Sequence, residues 1–498
     1  MNLKILLINP YLTVAHDDPA QPSPILSLSY LAAYLKKNGF NAVILDVSAA
    51  GWDKVTVVNG KNRPGLSAEE IKRFIADYGP DLVGITSPST AHALDMHETA
   101  QIVKNVDKKI KIAVGGAHAS SNPEDVLNDA NVDIVVIGEG EDTLLDIAVR
   151  MEKKADLNSV IGTAVKVNGK IIRNPARPYI ENLDSLPFPA RELLPMDTYS
   201  KIYAQGINYT MRQPFTTMIT SRGCPGDCIY CAVKTVWGRK WRFRSPVNVV
   251  DEIEELIRKY GIREIHFLDD SVSVSKSRLM SICDEIIKRK IDIRWTTPNG
   301  IAIWLMDKAL LKKMKQAGCY RLTFGLESGN PETLHFIGKK YDYNHAKEMI
   351  KYASKLGIWT IGTFIIGFPY ETKESIQDTI NFAINSHLDF AVFYIATPFP
   401  GTRMHEYFKK EGLIPKDAST IIRGADTKFF TKKQLETIQG QAFSLFLKTR
   451  ARKPWRIFCK LRSPEDLLYT VKLFKQFSNM IFKSKKIEKE GIAALWKK

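Results

Sequence analysis

The chain has 498 residues, 44% hydrophobic and 25% charged, a composition that excludes a disordered or fibrous protein and leaves room for two or three domains. Cys283, Cys319 and Cys459 stand singly beside one group of three cysteines, which excludes a disulfide framework and fits a reducing, cytoplasmic setting. No apolar run reaches the roughly 18 residues of a spanning helix, and the net charge of +17 is uneven: residues 448–498 hold 15 Lys or Arg against four acids.

Residues 1–155 open with a short apolar strand, Lys4–Ile8, ending at Asn9-Pro10. Amphipathic helices are expected at 27–38, 68–78, 93–106 and 143–153, with a short one at 123–127. Between them lie apolar strands at 42–45, 82–86, 112–114 and 134–137. This alternation predicts a parallel, doubly wound sheet, which binds ligands at the carboxyl ends of its strands. Those ends carry Asn9, then Ser87-Pro88-Ser89, Gly115-Gly116-Ala117-His118 and Gly138-Glu139-Gly140-Glu141. No G-x-G-x-x-G follows the first strand, so a dinucleotide fingerprint is absent.

Residues 156–214 form a connector. A hairpin is expected across 163–172 at the Asn168-Gly169 turn, followed by a proline-rich stretch through Leu183, Leu186 and Phe188.

Residues 215–412 alternate again. Strands are expected at 216–219, 265–268, 293–296, 322–326, 361–366 and 390–395, with helices at 249–260, 276–289, 308–316, 345–356 and 375–385. Directly after the first strand comes Ser221-Arg222-Gly223-Cys224-Pro225-Gly226-Asp227-Cys228-Ile229-Tyr230-Cys231. Three thiolates on one short loop can converge on a soft metal centre. A structural zinc would want a fourth ligand, and no second Cys or His cluster follows. A cubane cluster ordinarily takes four cysteines, so three leave one iron open to a ligand. Cys283 and Cys319 read as small buried fillers rather than nucleophiles.

The tail, 413–498, shows helical patterns at 434–450 and 467–482 and is expected to close the substrate pocket. Its basic, amphipathic character suits an anionic membrane surface, and equally a helix packed on the barrel with its lysines in water. No nucleic-acid module accompanies the charge.

The Cys-x3-Cys-x2-Cys loop, with Tyr230 before its third cysteine, resembles the signature of the radical S-adenosylmethionine enzymes. The preceding half, with its Gly-Gly-x-His and Gly-Glu-Gly-Glu turns, looks like the domain of the cobalamin-dependent branch of that family. The resemblance covers residues 1–410 and implies an α/β protein. Its parts would be a Rossmann-like cobalamin-binding domain (1–155), the linker (156–214), a partial (β/α)6 barrel (215–412) and a helical basic region (413–498). It implies a 4Fe-4S cluster on Cys224, Cys228 and Cys231. S-adenosylmethionine would be held by Tyr230, Asp269 or Asp270, Glu327, Ser328, Ile366 and Gly367. Cobalamin would lie against Asn9, Ser87, Gly115, Gly116, His118, Gly138, Glu139 and Gly140. Many corrinoid domains carry Asp-x-His-x-x-Gly after the first strand; here the nearest match, Asp95-Met96-His97, lies inside a helix and lacks the glycine. His97 is therefore read as an ordinary helical surface histidine, and His16, without the motif, is not taken as a cobalt ligand. His118 is read as a loop-ordering group or a contact to the corrin edge.

The implied reaction is methylation of an unactivated carbon of a small-molecule or lipid-like intermediate, fed by a one-electron donor such as flavodoxin or ferredoxin. Relatives that close rings or oxidise without methyl transfer, and a corrinoid-sensing module with a degenerate partner domain, are the competing readings.

Overall fold

The computed structural model describes residues 3–15, 22–205, 210–414, 424–458 and 460–473. His16, Cys459 and the predicted helix beyond residue 473 lie outside them. The chain divides into two units, one of residues 1–206 and 232–243, the other of 207–231 and 244–498.

The first unit is built on a seven-stranded sheet: β1 (Ile5–Asn9), β2 (Ala42–Asp46), β3 (Leu82–Thr86), β4 (Lys111–Gly115), β5 (Ile134–Val136), β6 (Thr163–Val167) and β7 (Lys170–Arg173). Their spatial order is β7-β6-β5-β4-β3-β1-β2, with β1 to β5 parallel. Every residue of β1 and β3 is buried, as expected for strands covered by helices on both faces. Each fully buried Leu, Ile or Val contributes about 1.5–3 kcal/mol. The helices start where the sequence supplies caps; Ser67 and Glu70, for example, form a capping box at helix Ala68–Tyr78. The hairpin expected in the connector instead extends this sheet, β6 pairing antiparallel with β5. Thr163, Ala164 and Val165 are buried there, so the hairpin has an apolar face to satisfy.

The second unit carries β8 (Phe215–Met218), β9 (Glu264–Phe267), β10 (Arg294–Ile301), β11 (Cys319–Glu327), β12 (Trp359–Ile366) and β13 (Phe390–Ile395). They pair in parallel and in chain order, the open (β/α)6 arrangement of a partial barrel. β10 outruns the expected 293–296 because a register shift before Ile301 lets Pro298-Asn299-Gly300 remain in the strand. Cys283 and Cys319 are buried in the apolar core.

The start of the described tail packs at the strand ends that carry the cysteine loop: Leu413, Ile414 and Ala425 share one apolar cluster with Ile229, Tyr230 and Phe368, and Leu435 abuts Gly367 just past β12. Helix Lys432–Ala451 packs along β13, the last strand of an open sheet, and sinks Leu435, Ile438, Ala442 and Phe446 into the barrel core. Tyr469 and Leu473 pack with Tyr320 and Trp359 at the starts of β11 and β12. Part of the tail's basicity is structural. Arg450 donates to the carbonyls of Ala383, Ile384, Ser386 and Leu388 at the end of helix Lys373–Asn385, and the buried Lys460 ammonium sits 2.8 Å from Asp389. No helix among the described residues is long and apolar enough to cross a membrane.

Candidate active site

The cysteine loop leaves the carboxyl end of β8. Cys224, Cys228 and Cys231 are half-buried, and none is in a disulfide. A Cβ built on Gly226 would lie 3.4 Å from the Cys224 sulfur and 3.9 Å from that of Cys228, so two thiols face one small space. Among the described residues, no three His, Cys, Asp or Glu side chains gather on a single ion. A cubane asks something else of its protein: one thiolate on each of three different irons. The loop's donor set fits that group. Its backbone is pinned on both sides, the Ile229 N–H donating to the Ile337 carbonyl (3.1 Å) and the Ile229 carbonyl accepting from Met404 (3.0 Å). Arg403, at the start of helix Arg403–Lys410, pairs with Asp227 at 2.9 Å. Burial pushes the Cys224 thiol up, so thiolate formation depends on what binds there.

The two carboxylates after β9 separate into different roles. Asp269 accepts from the Thr220 N–H (2.8 Å), the Thr220 hydroxyl (2.6 Å) and the Ser221 hydroxyl (2.5 Å), which uses both oxygens to shape the start of the loop. It serves as a strut for that turn. Asp270 makes one long bond from the Gly223 N–H (3.3 Å), and burial raises it to about 6.

Glu327 ends β11 in the left-handed region, at φ +64°, a strain of about 1–3 kcal/mol in a non-glycine residue. Its Oε1 accepts from the buried Lys339 ammonium at 2.8 Å. The Tyr230 phenol is held well above its ordinary value, by burial first and then by the Glu327 carboxylate. The Lys339 ammonium also stands 5.5 Å from the centre of the half-exposed Trp304 ring. Sequence reasoning missed Lys339: it lies twelve residues past its partner, with no motif to mark it.

Ser328 is wholly buried, sharing a hydrogen bond with the Thr379 hydroxyl (2.9 Å) and accepting from the Asn330 N–H (3.1 Å). It orders the turn that follows β11. The Ile366 side chain belongs to the core, and the Gly367 N–H donates to Glu371 at 2.7 Å. Glu371, which the sequence reading passed over, is fully buried; it also receives the Phe368 N–H (3.2 Å), and its Oε1 has no partner. Burial raises it to about 8 against the lowering effect of those two N–H groups.

In the first unit, β1 lies between β3 and β2, the point where an α/β sheet reverses direction and opens a crevice. The residues read as corrin contacts are largely engaged with their own fold. The Asn9 amide donates to Asp46 (3.1 Å), a buried carboxylate that also accepts from the Tyr199 hydroxyl (2.6 Å). His118 is buried with both ring nitrogens engaged, one with the Thr90 hydroxyl (3.2 Å) and one with Asp125 (3.0 Å). His97 pairs with Asp129 at 2.8 Å; burial would lower it, but Asp125 and Asp129 raise it to about 9. Glu139 is committed to Arg242 (2.8 Å) and to the Ile180 N–H (2.8 Å), so its carboxylate is a strut too. Gly140 abuts Leu31, Gly115 abuts Val136, and the Gly138 N–H donates to the Ser120 hydroxyl (3.0 Å). Gly116, at φ +114°, lets two strand ends meet, since a Cβ there would lie 2.6 Å from the Ser87 carbonyl oxygen. Among the described residues, what remains for a ligand is backbone and two buried hydroxyls without partners, Ser48 beyond β2 and Ser87 beyond β3. Orphaned polar atoms at a strand-end crevice fit a large, amide-rimmed ligand such as a corrinoid.

A sheet with such a crevice and a partial barrel whose first loop offers three thiols together define a corrinoid- and cluster-dependent enzyme class. Residues 14–148 match the B12 binding domain and residues 218–383 the Radical SAM superfamily. The chain is 35% identical over 428 residues to the uncharacterized methyltransferase PH0819 of Pyrococcus horikoshii, covering 85% of this chain and 87% of that one. It is 33% identical over 448 residues to the cytidylyl-2-hydroxyethylphosphonate methyltransferase of Streptomyces wedmorensis, covering 84% and 83%. The solved structure of the radical S-adenosylmethionine methyltransferase TsrM from Kitasatospora setae, with cobalamin and a [4Fe-4S] cluster bound, superposes with a TM-score of 0.66 at 18% identity, covering 82% of this chain and 75% of that one. The chain belongs to the cobalamin-dependent radical S-adenosylmethionine family, whose cofactors are a [4Fe-4S] cluster, S-adenosylmethionine and cobalamin.

Proposed function

We propose that this protein methylates an unactivated carbon of a small biosynthetic intermediate, drawing single electrons from a carrier such as flavodoxin or ferredoxin. The observation that carries the reading is the triplet of thiols outside any disulfide at the end of β8, beside the Glu327–Lys339 pair. Bound together, the cluster, S-adenosylmethionine and cobalamin supply a reductant, a radical precursor and a methyl donor, chemistry that an inert C–H bond demands because it has no acidic proton. The chain's own residues bind and orient. Cys224, Cys228 and Cys231 hold the cluster. Asp270 accepts from the methionyl ammonium, Lys339 donates to the methionyl carboxylate, and Glu327 accepts from the ribose hydroxyls. Tyr230 and the Gly367 backbone flank the adenine. In the first unit the 115–116 backbone and the Ser48 and Ser87 hydroxyls face the corrinoid.

Anaerobic reconstitution with iron, sulfide and hydroxocobalamin, then reduction in the presence of S-adenosylmethionine, tests this. Formation of 5′-deoxyadenosine and S-adenosylhomocysteine is expected; neither product from fully loaded protein contradicts it. Peripheral contact with an anionic membrane is part of the proposal. Its basis is the exposed Trp455, Phe458, Leu467, Leu468 and Val471 amid the basic tail. Co-sedimentation with anionic vesicles that survives deletion of residues 448–498 would count against that contact.

A further inference from the structure

The residue after the third cysteine, Ala232, begins a segment that runs to Phe243 and is part of the first unit, although the sequence around it belongs to the second. Within the first unit this segment is tightly held. Its helix, Val233–Trp237, packs on helix Ala117–Ser121, the short helix that carries His118 just after β4. The Val236 carbonyl lies 3.5 Å from where a Cβ on Gly138 would stand. Gly238 turns at φ +68° with Tyr179 so near that a Cβ there would come within 2.9 Å of the ring. The segment closes with Arg242, 3% exposed. Its guanidinium donates to Glu139 (2.8 Å), to the Ile180 carbonyl (2.7 Å) and to the Trp237 carbonyl (3.3 Å), and lies 4.7 Å from the centre of the Tyr179 ring. The Ile180 N–H completes Glu139 at 2.8 Å. The segment therefore rests on two strand-end turns, 116–121 and 138–140, which follow β4 and β5 on the β3 side of the crevice.

We propose that residues 232–243 are a coupling arm, in which Arg242 and Glu139 are positioning residues for the backbone that follows Cys231. A corrinoid that orders the two turns also orders the arm, and the arm begins one peptide bond from a cluster ligand. Retention of the cluster and occupancy of the corrinoid site are thereby linked, and linkage between two ligands is reciprocal. The inference rests on the cofactor reading above and goes beyond it, because each cofactor could load without sensing the other.

The test is the rate at which the reconstituted full-length protein loses iron to a chelator, followed by bleaching of the cluster's visible absorption, with and without hydroxocobalamin. In the wild type, hydroxocobalamin is expected to slow the loss by about fivefold or more, the lower end of couplings between sites. Arg242→Met and Glu139→Gln should abolish that protection while still binding hydroxocobalamin. Lys240→Met, which breaks only an exposed pair with Glu181 on the same arm, should keep it. Should the buried-pair variants fail to fold, Tyr179→Leu removes the ring beneath the guanidinium but leaves the pair, and should reduce the protection. Protection that is absent from wild-type protein loaded with both cofactors, or that persists in folded Arg242→Met or in Tyr179→Leu, overturns the arm alone. Failure to load either cofactor overturns the functional reading with it.

Discussion

The strand ends of the two units are equipped in opposite ways. In the barrel unit, charged and nucleophilic side chains gather at the strand ends: three thiols outside any disulfide, the Asp270 carboxyl with its one long bond, and the Lys339 ammonium paired with Glu327. In the first unit most of the described polar side chains at the strand ends are spent on the protein itself, Asn9 on Asp46, His118 on Asp125 and Thr90, Glu139 on Arg242. The difference follows from the ligands. S-adenosylmethionine is small and carries an ammonium, a carboxylate and a diol, which charged groups recognise one by one. A corrinoid is large and rimmed with neutral amides, so shape, backbone and a few hydroxyls suffice. Substitutions of the barrel's thiols should therefore alter chemistry first, and substitutions at the first unit's strand ends should alter stability or coupling first.

The largest expected effect is at the thiols. Cys224→Ala, Cys228→Ala or Cys231→Ala should each remove most of the bound iron and all detectable 5′-deoxyadenosine while leaving hydroxocobalamin binding intact. A Cys224→Ala protein that still makes 5′-deoxyadenosine would break the cluster assignment. Next is the buried pair of the first unit. Arg242→Met leaves the Glu139 carboxylate uncompensated and should cost about 3–5 kcal/mol, measured by denaturant unfolding. A cost like that of an exposed pair, about 0–1 kcal/mol, would erase the contrast between the units.

Lys339→Met should weaken S-adenosylhomocysteine by about ten- to a hundredfold, the 1.5–3 kcal/mol of a hydrogen bond to a charged group. 5′-Methylthioadenosine, which has no methionyl carboxylate, should lose less; equal losses in equilibrium dialysis would confine Lys339 to supporting Glu327.

A smaller effect is expected with pH. Glu371 keeps its proton in the fold up to about 8, whereas the unfolded chain releases it near 4.5. Its contribution to stability is full below the unfolded value and is lost as pH rises through about 8. Between about pH 5 and pH 9 the unfolding midpoint of the wild type should fall more than that of Glu371→Gln. Parallel curves would show that this carboxyl does not titrate across that window.

The cysteine loop and the βα alternation were legible because both are local: a spacing, and a periodicity. Six barrel strands and five parallel strands in the first sheet followed from apolar runs alone. The roles of single carboxylates were not local. Asp269 and Asp270 are adjacent in sequence, and only the three-dimensional approach of Thr220 and Ser221 separates a strut from a free acceptor. Glu139 reads as a ligand group until its partner, 103 residues away, comes into view. Ser328 follows the same rule, its Thr379 partner lying on a later helix. In the tail, the structural roles of Arg450 and Lys460 carry no local signal, because the carbonyls and the carboxylate they serve lie in the last β/α unit of the barrel.

The most direct test of the central claim is the electron paramagnetic resonance spectrum of anaerobically reconstituted, reduced protein, recorded before and after addition of S-adenosylmethionine. An open iron beside Glu327 and Lys339 predicts a [4Fe-4S] signal whose shape changes when S-adenosylmethionine binds. A cluster signal that S-adenosylmethionine leaves unaltered, or no cluster signal at all, would contradict it.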